Sequence, residues 1–361
     1  MDRLAKKIGP IYTIYSKMKI LQIMGGAGEG GAEEFFIDAI EALKNKEINQ
    51  YIIINDRNKK RIKKISDLKF LYSTASFGKL FRWPTQRVIN KAIKEFKPDI
   101  VHYWMGRASS FSVDGKHINI GWHSGYRGVE RFRRCDYHLA LTSDLKNHIA
   151  KQGINAKDIY ELPIYTKKNE LNTINRGKFS TPNNKPLLLS LSRLHPVKGI
   201  NILLDAMLKI PDAYLWIAGS GPLEKELKLQ SSRLGLDNRV KFLGWREDKE
   251  VLMATADICV FPSRNDSFGA VTIESWAAKK TTVACRAPGP LGLISHKKDG
   301  ILVEIDNSEE FAKSVNEIIN NKKLAKNLAN NGYSKYQKFY TKKAFVRNIL
   351  AIYTKVLEIK G

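Results

Sequence analysis

The sequence predicts an α/β protein built from two doubly wound parallel-sheet domains. Three observations carry that prediction. Short apolar runs alternate with polar loops and helical stretches; the alternation stops once in a polar segment and then restarts; and 361 residues are enough for two domains of ordinary size. In open sheets of this kind ligands bind at the carboxyl ends of the strands. The loops that follow strands are therefore where function is expected.

The first domain is expected to span residues 18–170. Residues 1–17 are basic, contain Pro10 and lack both the long apolar core and the small-residue cleavage site of a signal peptide, so they read as an N-terminal tail, with Met18 as an alternative start. Lys19–Met24 is the first strand, followed by the loop Gly25-Gly26-Ala27-Gly28-Glu29-Gly30-Gly31. A helix over Ala32–Lys44 places Phe36, Ile40 and Leu43 at helical spacing. Tyr51–Ile54, Ile100–Trp104, Ile118–His123 and Tyr137–Thr142 are further strands. Thr166–Pro186 is polar, with Pro182, Pro186 and several Asn, and residues 171–186 are expected to form the linker.

The second domain is expected over residues 187–340. Its strands are Leu187–Leu191, Tyr214–Ala218, Val240–Leu243, Ile258–Phe261 and Thr282–Cys285. Ile200, Leu203, Leu204, Met207 and Leu208 make one apolar helical face, and Ala270–Lys279, Glu309–Asn320 and Ala344–Glu358 read as helices. The last lies in a C-terminal segment, residues 341–361, expected to cross back to the first domain. Two such domains on one linker are expected to face each other across a cleft and to hold one substrate each.

Composition narrows the partners. Lys and Arg number 61 against 36 Asp and Glu, a formal charge of +25. That balance favours phosphate groups, anionic lipid or nucleic acid, with a lysine-rich background as the bland alternative. No zinc, RNA-recognition or helix-turn-helix signature accompanies the charge, which disfavours nucleic acid. The 43% hydrophobic content suits sizeable cores, and no run of about 18 uncharged apolar residues predicts a transmembrane helix. Cys135, Cys259 and Cys285 lack metal or CxxC spacing and are expected to be buried free thiols in a reducing compartment.

The densest chemical signal is Phe261-Pro262-Ser263-Arg264-Asn265-Asp266-Ser267-Phe268-Gly269-Ala270-Val271-Thr272-Ile273-Glu274: a strand, a polar loop, a Phe-Gly turn and a helix start, bracketed by two carboxylates. A helix start offers free amides and partial positive charge to an anion. The amides of Phe268, Gly269 and Ala270 are candidates, and Gly269 permits close backbone approach. Arg193 and Lys198 place two cations at a strand end and a helix start. Gly219-Ser220-Gly221-Pro222 ends a strand and opens a helix, with Pro222 suited to the first turn. The loop Gly25–Gly31 resembles a dinucleotide fingerprint only superficially, because no acid follows the second strand at clean spacing, although Asp56 lies near.

Several of these stretches together resemble the retaining glycosyltransferases of family 4, which have the GT-B fold. The residues are Ser192-Arg193-Leu194-His195-Pro196-Val197-Lys198-Gly199, Ala218-Gly219-Ser220-Gly221-Pro222, Val240-Lys241-Phe242-Leu243-Gly244-Trp245 and Phe261–Glu274, with weaker matches at Gly30-Gly31-Ala32-Glu33, Val101-His102 and Trp122-His123. The likeness covers Met18 to about Tyr340.

The resemblance implies a role for each. Arg193 and Lys198 would grip a nucleoside diphosphate and neutralise the charge that develops as it departs. Glu274 would accept the ribose hydroxyls; its alternative is helix-dipole stabilisation of about 0.3–1 kcal/mol. Asp266 stands where the family usually has Glu, one methylene longer. It would touch the donor sugar, against the alternative of an Asx-turn. Gly219, Gly221, Phe242 and Leu243 would lie near the nucleotide. Gly30, Gly31 and Glu33 would lie on the acceptor side, and His123 would contact a sugar hydroxyl, with His102 a second candidate. No DxD acid pair occurs, so neither metal nor cofactor is expected, and the nucleoside diphosphate sugar is a co-substrate.

Finally, Lys79, Phe81, Arg82, Trp83 and Arg87 form a basic-aromatic run, and Arg127, Arg131, Arg133 and Arg134 form another interleaved with Tyr126 and Phe132. These suit an anionic headgroup layer; a solvated face is the alternative. The expected function is retaining transfer of a hexose from a nucleoside diphosphate sugar to a glycan or glycolipid acceptor, in lipopolysaccharide or other envelope polysaccharide synthesis, in the cytoplasm at the inner face of the membrane. A sugar-nucleotide epimerase and a basic nucleic-acid-binding protein are the alternatives.

Overall fold

A computed structural model describes residues 18–28, 30–44, 48–78, 80–167 and 172–360. The expected tail over residues 1–17, together with Glu29, Lys79 and Leu171, lies outside them. The chain divides after Ile164 and again after Ala344, so that the segment from Phe345 belongs with the first unit and Tyr165–Ala344 is the second.

The first unit holds strands β1 (Met18–Met24), β2 (Ile48–Asn55), β3 (Leu71–Ala75), β4 (Ile100–Trp104), β5 (Ile118–His123), β6 (Tyr137–Ala140) and β7 (Ile159–Glu161). They form a parallel sheet in the order β3-β2-β1-β4-β5-β6-β7. Runs such as Ile52-Ile53-Ile54 are buried throughout, as a sheet covered on both faces requires. The covering helices include α1 (Gly31–Ala42), α2 (Lys59–Asp67), α3 (Trp83–Phe96), α4 (Met105–Ser109) and α5 (Ser143–Ala150). Because β1 pairs with both β2 and β4, the connections leave it in opposite directions and open a crevice at its carboxyl end. Met24 stands opposite Trp104, so the loops after these strands begin side by side.

The second unit repeats the plan with β8 (Leu187–Leu191), β9 (Tyr214–Ala218), β10 (Val240–Gly244), β11 (Ile258–Phe261), β12 (Thr281–Cys285) and β13 (Ile301–Val303), in the order β10-β9-β8-β11-β12-β13. Its helices are α6 (Ile200–Met207), α7 (Glu224–Arg233), α8 (Lys249–Thr255), α9 (Ala270–Ala277), α10 (Pro288–Leu293), α11 (Ser308–Asn320) and α12 (Lys322–Phe339). The core gathers Leu203, Leu204 and Met207 of α6 with Ile217, Val260 and Phe311. Here the crevice opens between β8 and β11.

Two details differ from expectation, and the C-terminal helix packs where expected. Residues 172–186 are not a free linker. Ile174 N donates to Thr255 Oγ1 at 2.9 Å, Arg176 reaches Thr255 O and Asp257, and Trp216 Nε1 donates to Thr181 Oγ1 at 2.9 Å, which ties the stretch into the second unit. The short strands β3, β7 and β13 and the polar helix α12 carried no clear signal. Strand β3 is largely exposed at the sheet edge, and α12 buries Leu328, Gly332 and Tyr336 alone among its described residues. The C-terminal helix α13 (Lys342–Lys360) supplies Phe345, edge-on to Phe35 at 5.3 Å, and Tyr353, whose hydroxyl shares a 2.7 Å hydrogen bond with His102 Nδ1. Both contacts lie in the first unit.

The three cysteines are free and buried. Among the described residues no helix is long and apolar enough to cross a membrane.

The first unit buries His102, His123 and His138, and burial lowers their pKa values to about 3, 3 and 4. As pH falls through about 6.5 the unfolded chain takes up these protons while the folded chain does not, so stability is lost. Between pH 7 and pH 5 the urea midpoint is expected to fall, each histidine adding a slope of up to about 1.4 kcal/mol per pH unit. An unchanged midpoint would show that these imidazoles are not held neutral.

Candidate functional site

The carboxyl ends of β8 and β11 frame a cavity of about 100 Å³ lined by Ser190, Ser192, Lys198, Asp266, Ala270 and Val271, among others. Its position follows from strand order. β8 ends at Leu191 and β11 at Phe261, and the loops leaving them turn to opposite faces of the sheet. Within it Lys198 Nζ donates to Asp266 Oδ2 at 2.8 Å, with both side chains about one-fifth exposed. Burial pushes the Asp266 carboxyl up, but the Lys198 ammonium and the amides of Gly269 and Phe268 outweigh it and hold the group below its usual range. Ser190 Oγ and Ser192 Oγ lie on the same wall, buried and without a hydrogen-bond partner. An unsatisfied buried hydroxyl costs about 1–3 kcal/mol, and two in one cavity mark a place prepared for a polar group. The space suits a phosphoryl-sized group rather than a whole sugar nucleotide.

Asp266 also shows why its length matters. Its Oδ1 accepts from Phe268 N at 3.2 Å and from Gly269 N at 2.7 Å. Two of the three amides expected to face an anion are therefore occupied by this carboxylate, and Ala270 remains at the cavity wall. One methylene fewer than Glu folds the group back onto its own turn. Gly269 caps α9 with φ of 81°, a left-handed conformation that a side chain would strain.

Glu274 is the fifth residue of α9, not its first turn, and lies outside this cavity. It accepts from Lys249 Nζ of α8 at 2.5 Å. Burial raises its pKa in spite of that partner. Glu274 follows Ala270 by one turn on the same helix face, about 6 Å along the axis.

Arg193 is exposed on the loop after β8, and its side chain makes no hydrogen bond or ion pair among the described residues. That loop lies on the glycine turn after β9. Leu194 N donates to Ser220 O at 3.0 Å, and a Cβ at Gly219 or Gly221 would fall 1.9 or 2.3 Å from the carbonyl oxygens of Ser192 and Leu194. Gly219 and Gly221 thus shape the Arg193 loop and do not line the cavity. Phe242 and Leu243 do not join it either. They line a separate groove of about 540 Å³ along β10, the edge strand, which β9 separates from β8. The structure brings together Lys198, Asp266 and Ala270, sets Glu274 one turn away and leaves Phe242 and Leu243 apart.

In the first unit the ends of β1, β4 and β5 frame a cavity of about 530 Å³ that includes Glu33, Met105, Arg107, His123, Arg127 and Arg131. His123 Nε2 shares a 3.0 Å hydrogen bond with His138 Nδ1, and its ring stacks on Phe132 at 3.7 Å. Burial, then the neighbouring His138 and His148, keep it neutral. His102 is not part of this cavity: it is a core residue stacked on Trp104 at 4.5 Å. Gly30 and Gly31 cap and begin α1 without lining the cavity, and the Glu33 carboxylate folds back over Gly26 and Gly30, where a Cβ would stand 2.7 and 2.6 Å from its oxygens. Buried Arg61 holds the glycine loop by donating to Gly26 O at 3.0 Å and Gly28 O at 2.6 Å.

Residues 172–335 match the family model for glycosyl transferases group 1. The chain carries a group 1 glycosyl transferase domain. It is 27% identical over 307 residues to the lipopolysaccharide core biosynthesis glycosyltransferase LpsE of Rhizobium meliloti (strain 1021), covering 84% of this chain and 90% of that protein. A crystal structure of Anabaena Alr3699/HepE in complex with UDP superposes with a TM-score of 0.82 at 22% identity, over 94% of this chain and all of the other. A glycosyltransferase from Rickettsia africae ESF-5 gives 0.84 at 20% identity, over 95% of this chain and 99% of the other. The chain has the GT-B fold.

Sequence reasoning passed over Ser190, Ser192, Arg61 and Arg107. Ser190 lies in β8 and Ser192 just after it, in a stretch whose apolar character hides them, and the arginines sit in basic surroundings that mask single residues.

Lys198→Met should destabilise the second unit more than the double variant Lys198→Met with Asp266→Asn, because the single change strands a half-buried carboxylate. A double-mutant cycle in urea is expected to give a coupling of about 1–3 kcal/mol. Additive effects would mean that water screens the pair.

Proposed function

We propose that this protein transfers a hexose from a nucleoside diphosphate sugar, with retention at the anomeric carbon, to a glycan or glycolipid acceptor in the synthesis of lipopolysaccharide or another envelope polysaccharide. The observation that carries the reading is the Lys198 ammonium, held 2.8 Å from Asp266 at the strand-end cavity of the second unit beside two unpartnered serine hydroxyls. The names of relatives such as the lipopolysaccharide core enzyme support the acceptor class.

In this mechanism the distal phosphate takes the Lys198 cavity, with the Ser190 and Ser192 hydroxyls donating to its oxygens, and Arg193 is free to swing onto the diphosphate. Glu274, one helical turn on, is at the separation expected between a diphosphate and its ribose, and its exchange of Lys249 for two hydroxyls suits a buried carboxylate. Asp266 faces the departing sugar, and neutral His123 supplies a hydrogen bond to a ring hydroxyl. Glu33, with the turn at Gly30 and Gly31, is assigned to the acceptor side. Asp266 is the one carboxylate among the residues lining the Lys198 cavity, whereas double displacement uses a pair roughly 5 Å apart. The acceptor oxygen therefore bonds to the anomeric carbon on the face from which the diphosphate leaves. The C–O electron pair departs with the nucleoside diphosphate, whose phosphate oxygen takes the acceptor proton. The charge-neutralising role falls to Lys198 and Arg193 rather than to a metal ion.

We also assign peripheral contact with an anionic membrane, at the inner face of the cytoplasmic membrane, to the start of α3. Leu80, Phe81 and Trp83 are 91%, 72% and 65% exposed there, beside Arg82 and Arg87. Apolar side chains ringed by cations suit a headgroup layer.

Lys198→Ala is expected to cut donor turnover by about 10²–10³-fold, the effect of losing one transition-state charge contact, and Glu274→Ala to abolish measurable turnover, both with circular dichroism unchanged. Full activity in both would remove the site. A thermal-shift screen against uridine, guanosine and adenosine diphosphate sugars should single out the donor by its rise in melting temperature. Phe81→Ser with Trp83→Ser should weaken sedimentation with phosphatidylglycerol vesicles severalfold at unchanged turnover on a soluble acceptor; equal sedimentation would move the contact elsewhere.

A further inference from the structure

The first-unit cavity contains more charge than a neutral glycan requires. Arg107, Arg127 and Arg131 all line it, and none makes a side-chain hydrogen bond or ion pair among the described residues. Two carboxylates share the space, yet neither neutralises them. Glu33 is folded over Gly26 and Gly30, and Glu130 over Gly128, where a Cβ would fall 2.2 Å from its oxygen. The imidazole of His123 is kept neutral by burial and adds no charge. The three arginines therefore line one cavity with no carboxylate bonded to them among the described residues.

All three arginines are exposed at the cavity, and two of their stems, those of Arg107 and Arg131, are packed. A Cβ at Gly25 would stand 3.1 Å from Arg107 Cγ, and one at Gly106 would stand 3.3 Å from Arg131 Cδ, so each aliphatic stem lies against a glycine backbone that leaves it room. Met105, which directly follows β4 and stands two residues before Arg107, has φ of 68°, a left-handed conformation that costs a non-glycine residue about 1–3 kcal/mol. It lines the same cavity. Such strain is retained where the surroundings hold a functional geometry. Packed stems at Arg107 and Arg131 and the strained Met105 set these exposed arginines apart from a freely moving charged face. Arg134 from the same basic run donates to Ser112 O instead, which shows that the run is divided by position rather than shared as one charged face.

We propose that Arg107, Arg127 and Arg131 bind an anionic substituent, a carboxylate or a phosphate, on the acceptor sugar, and so select acidic over neutral acceptors. This rests on the reading that the first unit takes the acceptor. Planar guanidinium groups match both anions with paired hydrogen bonds. The selection uses charge-assisted contacts that a neutral hydroxyl does not repay.

The test uses the full chain and three probes that differ only at C6: octyl β-glucopyranoside, its 6-carboxylate and its 6-phosphate. Binding is measured by isothermal titration at two salt concentrations. At least one charged probe is expected to bind about tenfold or more tightly than the neutral one, with the advantage shrinking at high salt. Arg107→Gln, Arg127→Gln and Arg131→Gln should each remove severalfold of that advantage and leave the neutral probe within about twofold. The tighter of the two charged probes identifies carboxylate or phosphate as the anion. Equal binding of all three, no binding of either charged probe at millimolar concentration, or equal losses for charged and neutral probes would overturn the proposal. So would an equal loss for uridine or guanosine diphosphate, which would reassign the arginines to the donor. Donor turnover and its dependence on Lys198 are measured separately, so a failure of the transferase reading is distinguishable from a failure of acceptor selection.

Discussion

The reversal of strand order within each parallel sheet is the constraint on which the rest of the structure depends. A strand whose neighbours connect to opposite faces leaves its carboxyl end uncovered, since each departing loop turns away from the other. In the first unit this happens between β1 and β4, and in the second between β8 and β11. Both cavities with chemical content sit at those two places. Glycines follow β1 and β9 because the loops there must pack against the backbone of neighbouring loops, as Gly219 does on Ser192. Arg61 and the C-terminal helix then fix the surroundings, the first by clamping the Gly26–Gly28 carbonyls and the second by burying Tyr353 against His102.

Asp266 joins the two levels of the second site. It is both the carboxylate that pairs with Lys198 and the cap that closes the turn before α9. A longer Glu would have reached further into the cavity and left the Phe268 and Gly269 amides open. The shorter side chain binds its own turn and holds the lysine at the cavity wall. The cavity wall therefore offers a poised ammonium and two unpartnered hydroxyls, but fewer free backbone amides than the helix start alone would offer. Glu274, raised in pKa by burial and paired with Lys249, shows the same economy: a carboxylate kept out of water needs a cation beside it.

The large positive charge divides by local geometry into three uses. Some cations hold the fold together, as Arg239 does by donating to the carbonyls of Ile210, Ala213 and Met207. Some border exposed aromatics at the start of α3. Others, Arg107, Arg127 and Arg131, line the first-unit cavity with no carboxylate bonded to them among the described residues. Net charge alone does not separate these, because Coulomb attraction in water is weak and non-specific until hydrogen bonds and stem packing give it direction.

What the sequence by itself determined is the pair of parallel-sheet domains, since apolar runs of four to six residues separated by helical periodicity have no other compact arrangement. It also determined the motif residues around Lys198, Asp266 and Glu274, because their types and spacing follow the order of strand, loop and helix. Only the tertiary structure decided which of them share a cavity. Phe242 and Leu243 are near the motif in chain order yet stand on an edge strand, whereas Ser190 and Ser192 carry no motif signal yet line the cavity wall. It likewise decided that residues 172–186 pack as part of the second unit, that β3 exists as an exposed edge, and that His102 is core while His123 lines a cavity. The physical reason is the same in each case. Local sequence sets backbone periodicity over a few residues, whereas proximity across a sheet is set by strand order, which depends on contacts between segments tens to hundreds of residues apart.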